Sequence, residues 1–188
     1  TTQVGAYLED LVARMFMEQT ECKSLKAFMV GGEKLVPVTP RSGFKFINGY
    51  GPCETIAFIT HYDVKDNGSI QPVGKPSINT KLYVFDSNAR LLPPGAIGEL
   101  GISGLQVSRG YLGLAEKTSE VFVKNIYCEK PEYSRMYKSG DVVRFLPDGN
   151  IDFVGRRDGQ VKIRGFRVEL TEIEEVIRRF NGIKDATV

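Results

Sequence analysis

The stretch that decides the fold is Phe44-Lys45-Phe46-Ile47-Asn48-Gly49-Tyr50-Gly51-Pro52-Cys53-Glu54, an apolar run that ends in a glycine-rich turn. Gly49, Gly51 and Pro52 favour a turn in which the backbone can come close to a ligand. Tyr50 offers a flat face on which a base can stack, and Glu54 offers a hard oxygen for a magnesium ion that bridges phosphates. A structural turn with an exposed acid is the alternative explanation.

A second apolar run lies upstream, at residues 25–30, and ends in Gly31-Gly32. This pattern is typical of a buried strand that enters a tight turn. Two strands that both stop at glycine-rich turns predict a sheet whose strand ends face a ligand. Still further upstream, residues 4–16 carry apolar side chains at helical spacing and predict an amphipathic helix.

From about residue 70 the chain alternates short strand-like runs with turn signals. The runs lie at residues 81–85, 99–102, 142–145 and 151–154, and the turns at residues 86–88, 93–95 and 147–150. This pattern predicts an antiparallel, barrel-like β region. A helix is predicted next. Thr171 and Glu174 have the spacing of a capping box, and Gly182 is the predicted terminator. One face of the helix is apolar and is formed by Ile173, Val176, Ile177 and Phe180.

Composition excludes several classes of protein. The net charge of +2 over 188 residues gives no reason to expect a nucleic acid or an anionic membrane as partner. No apolar run approaches the ~20 residues of a membrane span. The three cysteines, Cys22, Cys53 and Cys128, are widely spaced and fit a reducing compartment, so we expect a cytoplasmic protein. The only histidine, His61, has no evident partner and is assigned a structural role.

Three further motifs are candidates for binding or structural roles. Tyr137-Lys138-Ser139-Gly140-Asp141 places a carboxylate after a Ser-Gly turn, where its two oxygens could hold both hydroxyls of a ribose or form an Asx-type turn. Residues 98–104 and 108–113 are rich in glycine and show no obvious acid, base or nucleophile, so we favour a structural role. Within residues 155–170, the twelve residues 156–167 hold five cations, which fits either a phosphate or nucleic-acid patch or the solvated face of a strand.

Together, in this order, the motifs resemble the adenylation domain of nonribosomal peptide synthetases, within the larger superfamily of adenylate-forming enzymes. Residues 48–54 look like N-x-Y-G-P-T-E, residues 98–112 like G-E-L-x-I-x-G and A-R-G-Y-L, and residues 137–141 like Y-R-T-G-D. Residues 155–170 look like G-R-x-D-x-Q-V-K-I-R-G-x-R-I-E-L, the most specific of these motifs. The resemblance runs from about residue 25 to the end of the chain.

This resemblance implies an α/β fold. Residues 1–157 would be the C-terminal half of the large adenylate-forming subdomain, a mixed sheet with helices plus a distorted antiparallel β-barrel. Residues 158–188 would be the hinge and the start of the small α+β C-terminal subdomain. The chain begins without a Met and ends in a strand-like run, so we expect a fragment of a longer protein.

The resemblance also implies roles for single residues. Tyr50 would stack on adenine with Gly51 beside it, Glu54 would bind Mg²⁺, and Asp141 would hold the ribose with Arg156 next to it. Cys53 stands where the family usually has a Thr whose hydroxyl contacts phosphate, and a thiol is a much weaker donor. Asp158 would be the hinge, and Lys162 and Gly165 would lie on the surface used in the second, thioester-forming pose. The substrate pocket would be lined by Met29, Gly31, Gly49, Ala57 and Phe58, with Leu8 as a further candidate.

The reaction implied for the parent protein is attack of a carboxylate on the α-phosphate of ATP, followed by transfer of the acyl group to the phosphopantetheine thiol of a carrier domain. Its partners would be the amino acid, the peptidyl carrier domain and adjacent synthetase domains. The family's phosphate loop and catalytic lysine have no counterpart in the chain, so we expect the isolated fragment to be inactive. The alternatives are a related acyl-activating enzyme (a D-alanine–carrier ligase or an acyl-CoA synthetase) or a non-catalytic basic binding module.

Overall fold

The computed structural model describes residues 25–35, 37, 39–40, 44–56, 58–65, 70–157, 161–163, 166–168, 170–180 and 182–188. The helix predicted at residues 4–16 lies outside the described residues, as do the sequence-based assignments of Leu8, Ala57, Asp158 and Gly165.

The first sheet contains the two strands predicted to end in glycine turns. Strand β1 (Ala27–Gly31) runs parallel to β2 (Lys45–Tyr50), and β2 pairs antiparallel with β3 (Thr60–Val64). On its other side, β3 pairs antiparallel with the short edge strand β4 (Lys75–Pro76). Alternate residues of these strands pack into one apolar cluster, formed by Phe28, Val30, Phe46 and Val64. Strand β2 extends through Tyr50, so the predicted turn starts only at Gly51.

The predicted antiparallel region is a five-stranded sheet. It comprises β5 (Thr80–Phe85), β6 (Gly98–Gly104), β7 (Phe122–Lys124), β8 (Arg135–Phe145) and β9 (Ile151–Arg156), in the order β5-β6-β8-β7 with β9 also paired to β8. Each of the four predicted runs lies within one of these strands. Sequence reasoning missed β7 and the helix α1 (Ala115–Val121) that leads into it.

The two sheets are joined at the segment before β4. The Val73 N–H donates to the carbonyl of Ile151 over 2.8 Å, and the Ile151 N–H donates back to the carbonyl of Gly74 over 2.9 Å. Gly74 has a φ of +98°, and a Cβ there would collide with the backbone of His61, so this close crossing requires glycine. Ile59 and Val73 pack into the core of the second sheet with residues such as Leu100.

The last described elements are a hairpin and a helix. Strands β10 (Val161–Ile163) and β11 (Phe166–Val168) pair antiparallel, and helix α2 (Leu170–Arg178) follows. The helix begins one residue before the predicted capping residue Thr171. Gly182, beyond its end, has a φ of +93°, the left-handed backbone that suits a helix terminator. Within the described part of the chain, no helix is long and apolar enough to cross a membrane.

Candidate functional site

A cavity of about 410 Å³ opens where the glycine-rich strand ends of the first sheet meet β8 and β9 of the second. This volume lies in the range of about 300–1,000 Å³ that is usual for small-molecule sites. Its wall is formed by residues in or next to the first sheet and by residues of the paired strands β8 and β9. The wall residues are Gly32, Glu33, Lys34, Leu35, Gly49, Tyr50, Gly51, Gln71, Val73, Asp141, Phe153, Gly155 and Arg156. The predicted nucleotide-binding residues Tyr50, Gly51, Asp141 and Arg156 all belong to this wall.

Asp141 is the polar centre of the cavity. Its side chain is only 7% exposed and accepts a 2.8 Å charge-assisted hydrogen bond from Nη1 of Arg156, which is 14% exposed. The hydroxyl of Tyr50 donates to its other carboxylate oxygen, Oδ2. A carboxylate has acceptor positions on both of its oxygens, so the chemistry of Asp141 suits hydroxyl groups as donors.

Tyr50 links the two sheets at the floor of the cavity. Burial raises the pKa of the Tyr50 hydroxyl well above its usual value of 10.0, and the nearby charge of Asp141 raises this pKa further. The phenol therefore stays protonated and donates its hydrogen bond throughout the physiological range. Its ring lies 6.3 Å from that of Phe153, centroid to centroid, so two aromatic rings face the cavity.

A bulge in β8 aims Asp141 into the cavity. Glu99 pairs with Val142 and Gly101 with Lys138, so a single residue of β6 faces three residues of β8: Ser139, Gly140 and Asp141. A bulge of this kind turns a side chain away from its regular strand direction. Gly140 has a φ of +72°, a conformation that favours glycine. The sequence predicted a Ser-Gly turn at this point, whereas the chain continues as a bulged strand.

Glu54 lies outside the wall of the cavity, one turn beyond Gly51. It belongs to a short 3₁₀ turn (Cys53–Thr55), and it is only 6% exposed. The hydroxyl of Tyr111 donates to its Oε1 over 2.6 Å, and the backbone N–H of Ser108 donates to its carbonyl over 2.8 Å. Tyr111, a residue of the glycine-rich stretch 108–113, thus holds the carboxylate of Glu54. The sequence analysis assigned this stretch a structural role and predicted no contact between it and the site.

Magnesium binding at Glu54 is compatible with the chemistry of this carboxylate. Within the described residues, no three or more His, Cys, Asp or Glu side chains gather as a ready-made metal site. Mg²⁺ is commonly held by one or two carboxylates together with phosphate oxygens and waters. A single fixed carboxylate such as that of Glu54 therefore fits an ion that arrives with a nucleotide. Cys53, the neighbouring residue, is an exposed free thiol.

The predicted substrate-pocket residues come together only in part. A Cβ added to Gly31 would lie 2.6 Å from the ring of Phe58, and one added to Gly49 would lie 2.7 Å from it. The Phe58 ring therefore covers both glycines and fills the space that their missing side chains leave. Met29 is a half-buried residue of β1, on the same face of the strand as Gly31 and opposite the buried Phe28 and Val30. Of these four residues, only Gly49 also belongs to the wall of the larger cavity.

The predicted basic patch begins with two cations that are already paired. Arg156 binds Asp141, and Arg157 Nη1 lies 2.9 Å from Glu99 Oε2. Lys162 lies in β10, opposite Arg167. Sequence reasoning missed Phe153, Gln71 and the residues after β1 as cavity wall, because their common location depends on how the sheets pack and not on a local motif.

The chain has extensive similarity to known proteins. A family model described as AMP-binding enzyme matches residues 1–112. The chain is 42% identical over 175 residues to surfactin synthase subunit 3 of Bacillus subtilis (strain 168), a match that covers 88% of the chain and 14% of that protein. It is 43% identical over 173 residues to malpibaldin synthetase of Mortierella alpina, covering 87% of the chain and 3% of that protein.

Solved structures give the same result. The fold matches an NRPS protein containing adenylation and PCP domains with a TM-score of 0.76 and 30% identity, over 85% of the chain and 34% of that protein's chain. It matches an artificially fused adenylation-PCP di-domain from Klebsiella oxytoca with a TM-score of 0.70 and 27% identity, with the same coverage. The chain thus spans about a third of these structures and a small part of the curated relatives.

Proposed function

The chain belongs to the family of AMP-binding enzymes, and from that premise we propose that it is part of an adenylation domain that activates an amino acid. The cavity between the two sheets would bind ATP and its adenylate. The observation that carries this proposal is the buried group of Tyr50, Asp141 and Arg156, which combines an aromatic face with a fixed anionic acceptor. Its chemistry suits a base joined to a sugar with two hydroxyls. The resemblance that the sequence motifs predicted is confirmed at the level of the family.

In this proposal each residue of the cavity has a defined task. Tyr50 presents its ring to adenine, and Gly51 lets the backbone approach the nucleotide. Asp141 would accept hydrogen bonds from the two ribose hydroxyls with its carboxylate oxygens. Arg156 keeps the carboxylate charged and oriented through its 2.8 Å hydrogen bond.

Glu54 would hold Mg²⁺ in the proposed site. The ion supplies neutralisation of phosphate charge when it is bound with the nucleotide. The chain's own contribution is orientation: Tyr111 fixes Oε1 of Glu54 over 2.6 Å. Cys53 lacks the hydroxyl that would otherwise donate to a phosphate, so backbone N–H groups of the turn would have to take over that contact.

The amino-acid side chain would be received near Gly31, Gly49 and Phe58. Since the Phe58 ring lies over both glycines, it limits the depth of this region. Met29 and Ala57 complete the proposed lining. Small or compact side chains therefore fit this pocket better than long ones.

The wider assignments belong to the same proposal. The carrier domain with its phosphopantetheine would receive the activated acyl group; the matched structures contain both adenylation and PCP domains. The boundary between the large and small subdomains would fall at Asp158, with Lys162 and Gly165 on the surface of the second pose. The free thiols of Cys53 and Cys128 favour a reducing compartment such as the cytoplasm.

Amino-acid-dependent exchange of pyrophosphate into ATP tests the proposal. It should be measured on the chain as printed and on the full-length protein, with the common amino acids, D-alanine, aryl acids and fatty acids. Exchange with a common amino acid in the full-length protein, abolished by Asp141→Ala, is the expected result. We expect the printed chain alone to be inactive. Exchange with only D-alanine or a fatty acid would move the function to the related acyl-activating enzymes, and no exchange together with no AMP binding would refute the proposal.

A further inference from the structure

Glu99 of the glycine-rich strand β6 does not line the proposed nucleotide cavity, but it binds two residues that are adjacent in sequence to the cavity residues Asp141 and Arg156. Its Oε1 accepts a 3.3 Å hydrogen bond from the backbone N–H of Gly140, and its Oε2 accepts a 2.9 Å hydrogen bond from Arg157 Nη1. Gly140 directly precedes Asp141, and Arg157 directly follows Arg156. One carboxylate therefore holds both strands at the point where they present the ion pair to the cavity.

The hydrogen bond to Gly140 satisfies a group that the bulge removes from the ladder. Three residues of β8 face one residue of β6 here, so the N–H of Gly140 has no regular partner across the sheet. The two neighbouring residues are fixed in other ways. The Ser139 hydroxyl donates to the carbonyl of Leu100 over 2.9 Å and accepts from the N–H of Asp141 over 3.1 Å.

The ion pair with Arg157 closes a ring around the site. The backbone N–H of Arg157 donates to the carbonyl of Gly140 over 2.9 Å, so Gly140 is held on both of its backbone polar groups by the same pair of residues. The side chain of Glu99 is only 9% exposed, although that of Arg157 is 62% exposed. Glu99, the buried partner of this ion pair, is thus the residue that contacts the bulge at Gly140.

We propose that Glu99 is a positioning residue of the nucleotide site, which sets the bulge at Gly140 so that Asp141 faces both Tyr50 and an incoming ribose. This inference rests on the proposed function for its ligand, and it adds a residue that touches neither nucleotide nor amino acid. It gives the Gly-Glu-Leu stretch at residues 98–100 a role in binding as well as in the sheet.

The test compares Glu99→Ala with wild type in two measurements on the full-length protein. The first is the affinity for AMP and for 2′,3′-dideoxy-AMP by titration calorimetry. We expect wild type to prefer AMP by about tenfold or more, because dideoxy-AMP lacks the two ribose hydroxyls that would donate hydrogen bonds to Asp141. In Glu99→Ala this ratio should fall toward one, with AMP affinity about tenfold lower. Glu99→Gln, which keeps an acceptor for the Gly140 N–H, should restore most of the ratio.

The matched control is Arg144→Leu. It breaks the 2.9 Å ion pair between Arg144 and Asp152, which joins the same two strands farther from the bulge. This variant should lose stability but keep the AMP to dideoxy-AMP ratio of wild type. General loss of folded protein lowers the binding stoichiometry and leaves the affinity ratio unchanged. If Glu99 had only a structural role, Glu99→Ala would therefore also keep the wild-type ratio, and that outcome would overturn the inference.

The second measurement does not need a nucleotide. Carbon-13 NMR of the Tyr50 ring follows its titration, and the pKa of Tyr50 should move back toward 10.0 in Glu99→Ala as Asp141 leaves its hydroxyl. An unchanged titration of Tyr50 would overturn the inference, whether or not AMP binds. Failure of wild type to bind AMP, with the Tyr50 titration shifted in the variant, would refute the proposed function and leave the positioning role supported.

Discussion

Loss of Arg156 should destabilise the protein far more than loss of an exposed cation. At an effective dielectric constant of about 20, unit charges 2.8 Å apart attract each other by about 6 kcal/mol. Most of this attraction offsets the cost of removing the two groups from water, so the pair adds little net stability. Arg156→Leu, however, leaves the 7%-exposed carboxylate of Asp141 without its counter-charge, for which buried pairs typically lose about 3–5 kcal/mol. The Tyr50 hydroxyl still donates to Asp141, so we expect the lower end, about 3 kcal/mol.

The assay is urea unfolding followed by far-UV circular dichroism, which suits a chain without tryptophan. The control is Lys45→Ala, because Lys45 and Asp63 form a 3.4 Å pair in which both side chains are exposed, and this change should cost less than about 1 kcal/mol. The double variant Arg156→Leu with Asp141→Asn should regain part of the loss, since it removes the buried charge itself. If Arg156→Leu behaved like Lys45→Ala, Asp141 would have to be hydrated, and the argument for a buried anionic acceptor would fail.

Four further predictions concern the cavity. Tyr50→Ala should weaken AMP binding in titration calorimetry by about 1–3 kcal/mol through the loss of a stacking ring, whereas Tyr50→Phe should retain most of the affinity. Gly155→Val should fold normally in unfolding experiments, since a Cβ there meets no atom within 4 Å, but should bind AMP poorly because the side chain enters the cavity. Phe58→Ala should shift pyrophosphate exchange toward amino acids with larger side chains; an unchanged preference would place the substrate elsewhere. Because burial raises the pKa of Tyr50 above 10.0, the unfolded state loses this proton first, so Tyr50 should cost wild type up to about 1.4 kcal/mol of stability per pH unit above pH 10. In a pH series of urea midpoints, Tyr50→Phe should show a smaller slope than wild type; part of the slope should persist because burial also raises the pKa of Tyr127.

Helices and strands could be predicted from the sequence where one face of the element is apolar and turn residues flank its ends. Strands β5, β6, β8 and β9 each show such a run between turn signals, and all four lie where the pattern indicates. Helix α1 was missed because none of its residues is buried, so it has no apolar stripe to detect. Strand β3 was missed for a related reason: its only buried residues are Thr60 and Val64, at its two ends.

The candidate site could be predicted from sequence only where a local motif carries it. Tyr50, Asp141 and Arg156 each stand in a recognisable stretch, and all three line one cavity. Glu99 and Tyr111 also stand in a recognisable stretch, but their partners are 41 and 57 residues away in sequence. Which carboxylate meets which backbone amide depends on strand register and on a two-residue bulge, and neither can be read from the residues of one strand alone.

The position of the cavity explains why its residues are spread over so much of the chain. Tyr50 belongs to the first sheet and Asp141 to the second, so the hydrogen bond between them crosses from one sheet to the other. Each sheet has its own apolar cluster, and polar groups are tolerated between the two because they satisfy one another. A ligand that hydrogen-bonds to Asp141 and stacks on Tyr50 would contact both sheets at once. Residues that fix either partner, such as Glu99 behind Asp141, would therefore act on the same binding energy without touching the ligand.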